Sequence, residues 1–124
     1  MIDGIGTDIV RIARMQAALG RRGDALAARL LAPAELPAFA DHPDPSRFLA
    51  KRFAIKEAVL KALGTGLRGG IRWHDISVFH DDLGKPLLAL SGEAGRRLGA
   101  RRCHLSVSDE QDYALAFVII ESES

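Results

Sequence analysis

The segment from Arg52 to Gly66, Arg-Phe-Ala-Ile-Lys-Glu-Ala-Val-Leu-Lys-Ala-Leu-Gly-Thr-Gly, strings together an acid, an amine and a pliable backbone. Leu49, Phe53, Leu60 and Leu63 recur at helical spacing and share one face. Glu57 lies on that face, and Lys61 follows it at i+4. A carboxylate on the buried side of a helix is costly unless it is paired or bound to a cation. The plainer alternative is an exposed Glu57–Lys61 pair. A second acid, Asp8, ends Gly4-Ile-Gly-Thr-Asp8. Alone, Asp8 reads as a strand-end residue capping the next helix. Taken together, two hard oxygen ligands from two elements, completed by phosphate oxygens and water, make the usual Mg²⁺ arrangement. Lys61, on Glu57's side of the helix, is the candidate phosphate contact. Lys56 stands about 140° from it at 100° per residue; it can reach a phosphate at the rim or be a solvated surface charge. Gly64 and Gly66 can end the helix or let the backbone approach a ligand. Lys85 and Pro86, in Gly84-Lys-Pro86, offer one more amine beside an ordinary hairpin turn.

Several familiar sites are missing. There is no Walker A pattern, and Gly4-Ile-Gly6 lacks the third glycine of a dinucleotide fingerprint. No Cys/His cluster suggests zinc. His42, His74, His80 and His104 are scattered without a triad pattern.

These residues need elements to hold them. Ile2 to Val10 reads as a strand whose Gly4 and Gly6 signal a bulge or close backbone contact. Arg11 to about Leu19 reads as a helix, with Ile12, Met15 and Leu19 on one stripe. Asp24 to Leu31 reads as a short helix with Asp24 as N-cap, and Pro33 opens another through Phe39. After a turn at Asp41–Pro45, Ser46 caps the long helix to Leu63. Trp73–His80 and Lys85–Leu90 read as paired strands around a turn at Asp81–Gly84. Ser91 caps a helix to about Leu98. Cys103–Ser108 and Tyr113–Ile120 form a last hairpin around Asp109–Asp112. The expected class is α+β, with an antiparallel sheet packed against one long helix and short N-terminal helices beside it.

The 124 residues fit a single domain, 1–124, and the 48% hydrophobic content supports a packed core. No apolar run reaches the roughly 18 residues of a membrane span. The N-terminus lacks a signal-peptide pattern, and one cysteine cannot form an internal disulfide. The expected location is the cytoplasm. The net charge of +1 hides an asymmetry. Arg11, Arg14, Arg21, Arg22 and Arg29 face a single acid, Asp24, across the early helices, whereas the chain after Ser108 carries five acids and no Lys or Arg. The basic segment suggests an acidic partner. Seven aromatics and no dense Lys/Arg run argue against nucleic acid.

Gly4-Ile-Gly-Thr-Asp-Ile-Val10, Arg47-Phe-Leu-Ala-Lys-Arg-Phe-Ala-Ile-Lys-Glu-Ala58, Lys61-Ala-Leu-Gly-Thr-Gly66, Gly84-Lys-Pro86 and His104-Leu-Ser-Val-Ser-Asp109 before Tyr113-Ala114 together resemble the holo-acyl-carrier-protein synthases. These are the single-domain bacterial type of 4′-phosphopantetheinyl transferase. The resemblance runs nearly end to end, in the same order and spacing. It implies Mg²⁺-dependent transfer of 4′-phosphopantetheine from coenzyme A to a serine of apo-acyl carrier protein, releasing adenosine 3′,5′-bisphosphate and serving fatty acid biosynthesis. The implied metal ligands are Asp8 and Glu57. Lys61 would contact the phosphates and stabilise the transition state, and Glu57 or a metal-held water would take the serine proton. Lys56, Gly64, Gly66, Lys85, Pro86 and Ser106 would serve the coenzyme A pocket. Arg14 and Arg21, with Met15 and Leu19 as apolar contacts, would dock the acidic carrier helix. Small members form homotrimers with interfacial active sites, so self-association is expected, without nucleic acid or membrane partners.

Two positions depart from the pattern. Asp109 stands where many members have His, and Arg11 where an acid is common. A non-catalytic docking module is the main competing reading: its arginine face would bind acidic helices with no dependence on Mg²⁺.

Overall fold

In the computed structural model, which describes residues 1–123, the first strand is β1 (Ile2–Arg11). α1 (Ile12–Arg22) and α2 (Asp24–Leu30) follow it. A 3-10 turn at Pro33–Glu35 leads into α3 (Leu36–Asp41) and then the long α4 (Pro45–Leu63). A second 3-10 turn at Trp73–Asp75 precedes the hairpin β2 (Ile76–His80) and β3 (Pro86–Leu90). α5 (Gly92–Leu98), β4 (Arg102–Asp109) and β5 (Tyr113–Glu121) complete the chain. Ser124, the end of the expected domain, lies outside the described residues.

The α+β class is as expected, but there are two antiparallel sheets rather than one. β5 is central in the order β1-β5-β4, while β2 and β3 pair separately. β5 alternates cleanly: Ala114, Ala116, Val118 and Ile120 are buried, and Leu115 and Phe117 face outward. Its inner face packs on α4, and α1 covers another side of the same helix.

Eleven of the 19 positions of α4 are buried, including Arg52 and Lys56. A helix enclosed on most sides has no single apolar stripe, which is why the face drawn through Leu49, Phe53, Leu60 and Leu63 marks only part of its buried surface. Small residues dominate where the sheet crosses it: Ala50, Ala54 and Ala58 are fully buried. β1 meets them with glycine. A Cβ at Gly4 would stand 2.1 Å from the Ala62 carbonyl oxygen, and one at Gly6 would stand 1.9 Å from that of Ala58. No side chain fits there, so both glycines are needed for this approach.

The N-cap of α4 is Asp44, not Ser46: the Asp44 carboxylate accepts from the Arg47 N–H at 3.2 Å, and Pro45 takes the first helical position. Similarly, Asp24 is the first residue of α2 rather than its cap, a place held by Gly23. Trp73–Asp75 curls rather than extends because the Asp75 carboxylate draws back the Arg72 N–H at 3.1 Å. No helix among the described residues is long and apolar enough to cross a membrane.

Candidate active site

The contact of Gly4 and Gly6 with α4 fixes the position of the next inward-facing polar residue of β1. That residue is Asp8, paired with Ala116 of β5. Two turns of α4 lie beside it, carrying Glu57 and Lys61. Lys61 Nζ donates to Asp8 Oδ1 and to the Thr7 carbonyl, both at 2.9 Å. The ion pair is part-exposed, with half of the Lys61 side chain in solvent, so it contributes little to stability and is readily exchanged.

Asp8 and Glu57 open onto one cavity of about 640 Å³ between β1, α1, α2 and α4. All five arginines of the basic segment, Arg11, Arg14, Arg21, Arg22 and Arg29, line it. Phe53 and Trp73 form an aromatic wall, their ring centroids 5.5 Å apart. The site is therefore two carboxylates at the floor of a cationic bowl. Burial pushes the Glu57 carboxyl above the usual range; the Asp8 charge adds to this, and Lys61 opposes it. Two acids that repel each other in a half-buried place suit a divalent cation, which would relieve both the repulsion and the burial cost. Among the described residues no third His, Cys, Asp or Glu joins them. Water and phosphate oxygens would have to complete a coordination shell.

Lys56 requires correction. It is 0% exposed, and its three N–H groups donate to Glu35 Oε1 at 2.6 Å, the Leu30 carbonyl at 2.7 Å and the Trp73 carbonyl at 3.3 Å. It is neither a surface charge nor a rim cation: burial lowers its pKa, and Glu35 opposes that shift. Met15 is also a core residue, although it borders the cavity. Leu19 turns away from the cavity and borders a separate groove with Phe39, whereas Arg14 and Arg21 are exposed.

The other expected residues lie outside this cavity. Gly64 closes α4 in the left-handed conformation at φ 76°, its N–H donating to the Leu60 and Lys61 carbonyls, and Gly66 follows at φ 60°. Lys85 sits in the β2–β3 turn, where its N–H donates to Asp81 Oδ1 at 2.9 Å. Pro86 opens β3 and borders a second cavity of about 240 Å³ with Lys51 and Val107. Ser106 pairs with Phe117 on the outer sheet face, opposite Asp8. Asp109 accepts from Arg47 Nη1 at 2.9 Å and lies 3.3 Å from Lys51 Nζ. Burial would raise its pKa, but these two cations hold it below the usual range.

A family model described as the 4′-phosphopantetheinyl transferase superfamily matches residues 4–118. The chain belongs to that superfamily. The holo-[acyl-carrier-protein] synthase of Hamiltonella defensa is 54% identical over 121 residues, covering 95% of this chain and 96% of that protein. The crystal structure of the Neisseria meningitidis holo-[acyl-carrier-protein] synthase superposes with a TM-score of 0.90 at 46% identity, covering 98% of this chain and 100% of that one. That of the Bacillus anthracis enzyme, in complex with CoA (3′,5′-ADP), gives 0.83 at 37% identity and covers 99% of both chains.

Within this transferase fold, the sequence reading missed Glu35 and Arg52. Arg52 Nη1 donates to Glu35 Oε2 at 2.8 Å. Arg52 and Lys56 are i and i+4 on α4, but only the fold buries both and brings Glu35 between them. The sequence reading also passed over Phe53 and Trp73 as the aromatic wall, because nothing local marks Trp73 as a neighbour of Phe53.

Proposed function

We propose that this chain is a holo-[acyl-carrier-protein] synthase that moves 4′-phosphopantetheine from coenzyme A to a serine hydroxyl of apo-acyl carrier protein. The observation that carries this reading is the pairing of Asp8 with Glu57 in one arginine-lined cavity, with Lys61 held against Asp8, in a member of that superfamily. In the reaction the serine oxygen forms a bond to the phosphorus that carries pantetheine. The bond from that phosphorus to the bridging oxygen breaks, and adenosine 3′,5′-bisphosphate leaves with the electron pair. The family's near neighbours by name, and a solved relative bound to coenzyme A, support this substrate pair.

Asp8 and Glu57 are the residues that would hold Mg²⁺, which supplies positive charge to the pyrophosphate as charge builds on the leaving group. Lys61 needs only to exchange an exposed ion pair to reach a phosphate oxygen. The serine proton would go to Glu57 or to a water held by the metal. Arg14 and Arg21 are exposed on the cavity rim and suit the acidic helix of a carrier.

A donor site shared between chains is part of this proposal. Lys85, Pro86 and Ser106 do not border the Asp8 cavity of their own protomer. The outer face of β1-β5-β4 carries Ile5, Ile9, Leu115 and Phe117 at 57%, 61%, 43% and 41% exposure. A cluster of this kind calls for a covering surface, and a trimer of this chain is the proposed one, with the donor bound between copies. The reaction belongs to the cytoplasm and to fatty acid biosynthesis.

Intact-mass spectrometry of apo-acyl carrier protein incubated with the chain, coenzyme A and Mg²⁺ tests the reading. A gain of one phosphopantetheine, lost in Asp8→Ala and Glu57→Ala chains that remain folded, is expected. A carrier of unchanged mass, when a known transferase modifies the same batch, rejects it.

A further inference from the structure

Behind the cavity wall lies a buried ionic cluster that the proposed chemistry does not use. Glu35 is 2% exposed and receives Lys56 and Arg52, together with the Ala32 N–H at 2.9 Å and the Val78 N–H at 3.2 Å. Such a cluster is a poor source of stability, since apolar residues of similar volume often serve as well or better. Its connections suggest another use. Lys56 joins three segments: α4 itself, the last residue of α2 through the Leu30 carbonyl, and the 3-10 turn through the Trp73 carbonyl. Leu30 and Trp73 are both walls of the Asp8 cavity. Arg52 behaves differently. Beyond Glu35, its guanidinium donates to the Val78 carbonyl of β2 at 3.3 Å and borders no part of that cavity.

α2 is otherwise held by its buried Leu26, Ala27 and Leu30 and by His74 Nε2, 2.7 Å from the Ala28 carbonyl; among the described residues Lys56 is the only buried charge that reaches it. The helix spans seven residues, begins after Gly23 and has no side-chain hydrogen bond at its N-cap. It nevertheless carries Leu26 and Arg29 into the cavity. The Lys56 ammonium reaches the carbonyl at its C-terminal end, where a cation also complements the helix dipole.

We propose that Lys56, with Glu35 as its counter-charge, is a positioning residue: it fixes α2 and the Trp73 wall relative to Glu57 and so sets where the carrier protein seats. This role rests on the transferase reading above. It assigns Lys56 to the acceptor side of the reaction and removes it from the coenzyme A pocket.

The test compares two variants of matched chemistry. Lys56→Met keeps volume and leaves the Arg52–Glu35 pair intact; Arg52→Met removes the same charge from the same cluster and leaves Lys56–Glu35 intact. Trp73 is the only tryptophan, so its fluorescence and acrylamide quenching report the wall directly. With Lys56→Met, well below its melting temperature, Trp73 quenching should rise. The kcat/KM for apo-carrier should fall by about 10- to 100-fold, as expected when a binding wall moves by about 1 Å, through a raised carrier KM and with the coenzyme A KM unchanged. Arg52→Met should lower Tm but leave Trp73 quenching and both KM values at wild type. If Lys56→Met does not fold, Lys56→Gln, whose amide keeps N–H donors, is read the same way, with a smaller change of the same sign. Wild-type quenching and carrier KM in a folded Lys56 variant would overturn the proposal, as would equal changes in the two variants. A wild-type chain that transfers nothing rejects the transferase reading, and the seating role falls with it; a transferring wild type confines any failure to Lys56.

Discussion

Gly6→Ala should damage both folding and transfer, because one methyl group would enter the contact that aligns Asp8 with α4. The added Cβ would lie 1.9 Å from the Ala58 carbonyl oxygen and 2.7 Å from the Ala62 nitrogen. Ordinary contact begins near 3.4 Å, so β1 must withdraw by about 1.5 Å. Both obstacles are backbone atoms of a helix buried on most sides, so neither can rotate away. Overpacking of this kind costs about 2–3 kcal/mol, which for a chain of this size lowers Tm by about 8–12 °C. Asp8 lies two residues further along the same strand and moves with it, and misplacement by about 1 Å costs about 100-fold in rate. Differential scanning calorimetry and the intact-mass assay, run well below the melting temperature, read the two effects separately. Gly20→Ala is the control: a Cβ there meets nothing within 4 Å, and alanine within α1 should gain about 0.5–1 kcal/mol. A Gly6→Ala chain that melts and turns over like wild type would refute the close-approach reasoning.

Arg14→Glu with Arg21→Glu should raise the carrier KM by at least about 10-fold and flatten its salt dependence, with the coenzyme A KM unchanged; steady-state kinetics at two ionic strengths decide this. Ile9→Asp, on the outer sheet face, should shift sedimentation velocity from an oligomer to a monomer, and an unchanged sedimentation coefficient would dismiss that face as the interface. Arg96 and Arg97 hold Glu93 down to about 2. A depressed carboxylate contributes stability above its unfolded pKa and loses it as pH falls through the folded value. Glu93→Gln should therefore lower Tm at pH 7, and its difference from wild type should close between about pH 4.5 and pH 2. A difference that is constant with pH would show that the Arg contacts do not act through charge.

What could be read in the sequence was what local pattern encodes. The hairpin around Asp109–Asp112 and the glycines that give β1 its close backbone contact show in neighbouring residue types, and both lie where expected. The in–out alternation of β5 does not show, because Tyr113–Ile120 is one continuous apolar run. Lys56 was misjudged for a non-local reason. Its burial depends on Leu30, Glu35 and Trp73, which lie 17 to 26 residues away and leave no trace in the periodicity of α4. The cap of α4 is a local matter instead: Asp44 and Ser46 are both good N-caps, and Pro45 at the first helical position decides between them. Asp8 and Glu57 were legible as a pair of acids flanked by glycine and lysine. Their shared cavity, and the five arginines around it, came only from the packing of α1 and α2 beside β1.

The account turns on two carboxylates from β1 and α4 sharing one divalent ion. A crystal structure grown with coenzyme A and Mg²⁺ measures this directly. One ion within about 2.0–2.1 Å of an oxygen of Asp8 and an oxygen of Glu57, with donor phosphate oxygens in its shell, is the expected result. Coenzyme A bound with its pyrophosphate remote from both acids, and Lys61 still paired to Asp8, would contradict it.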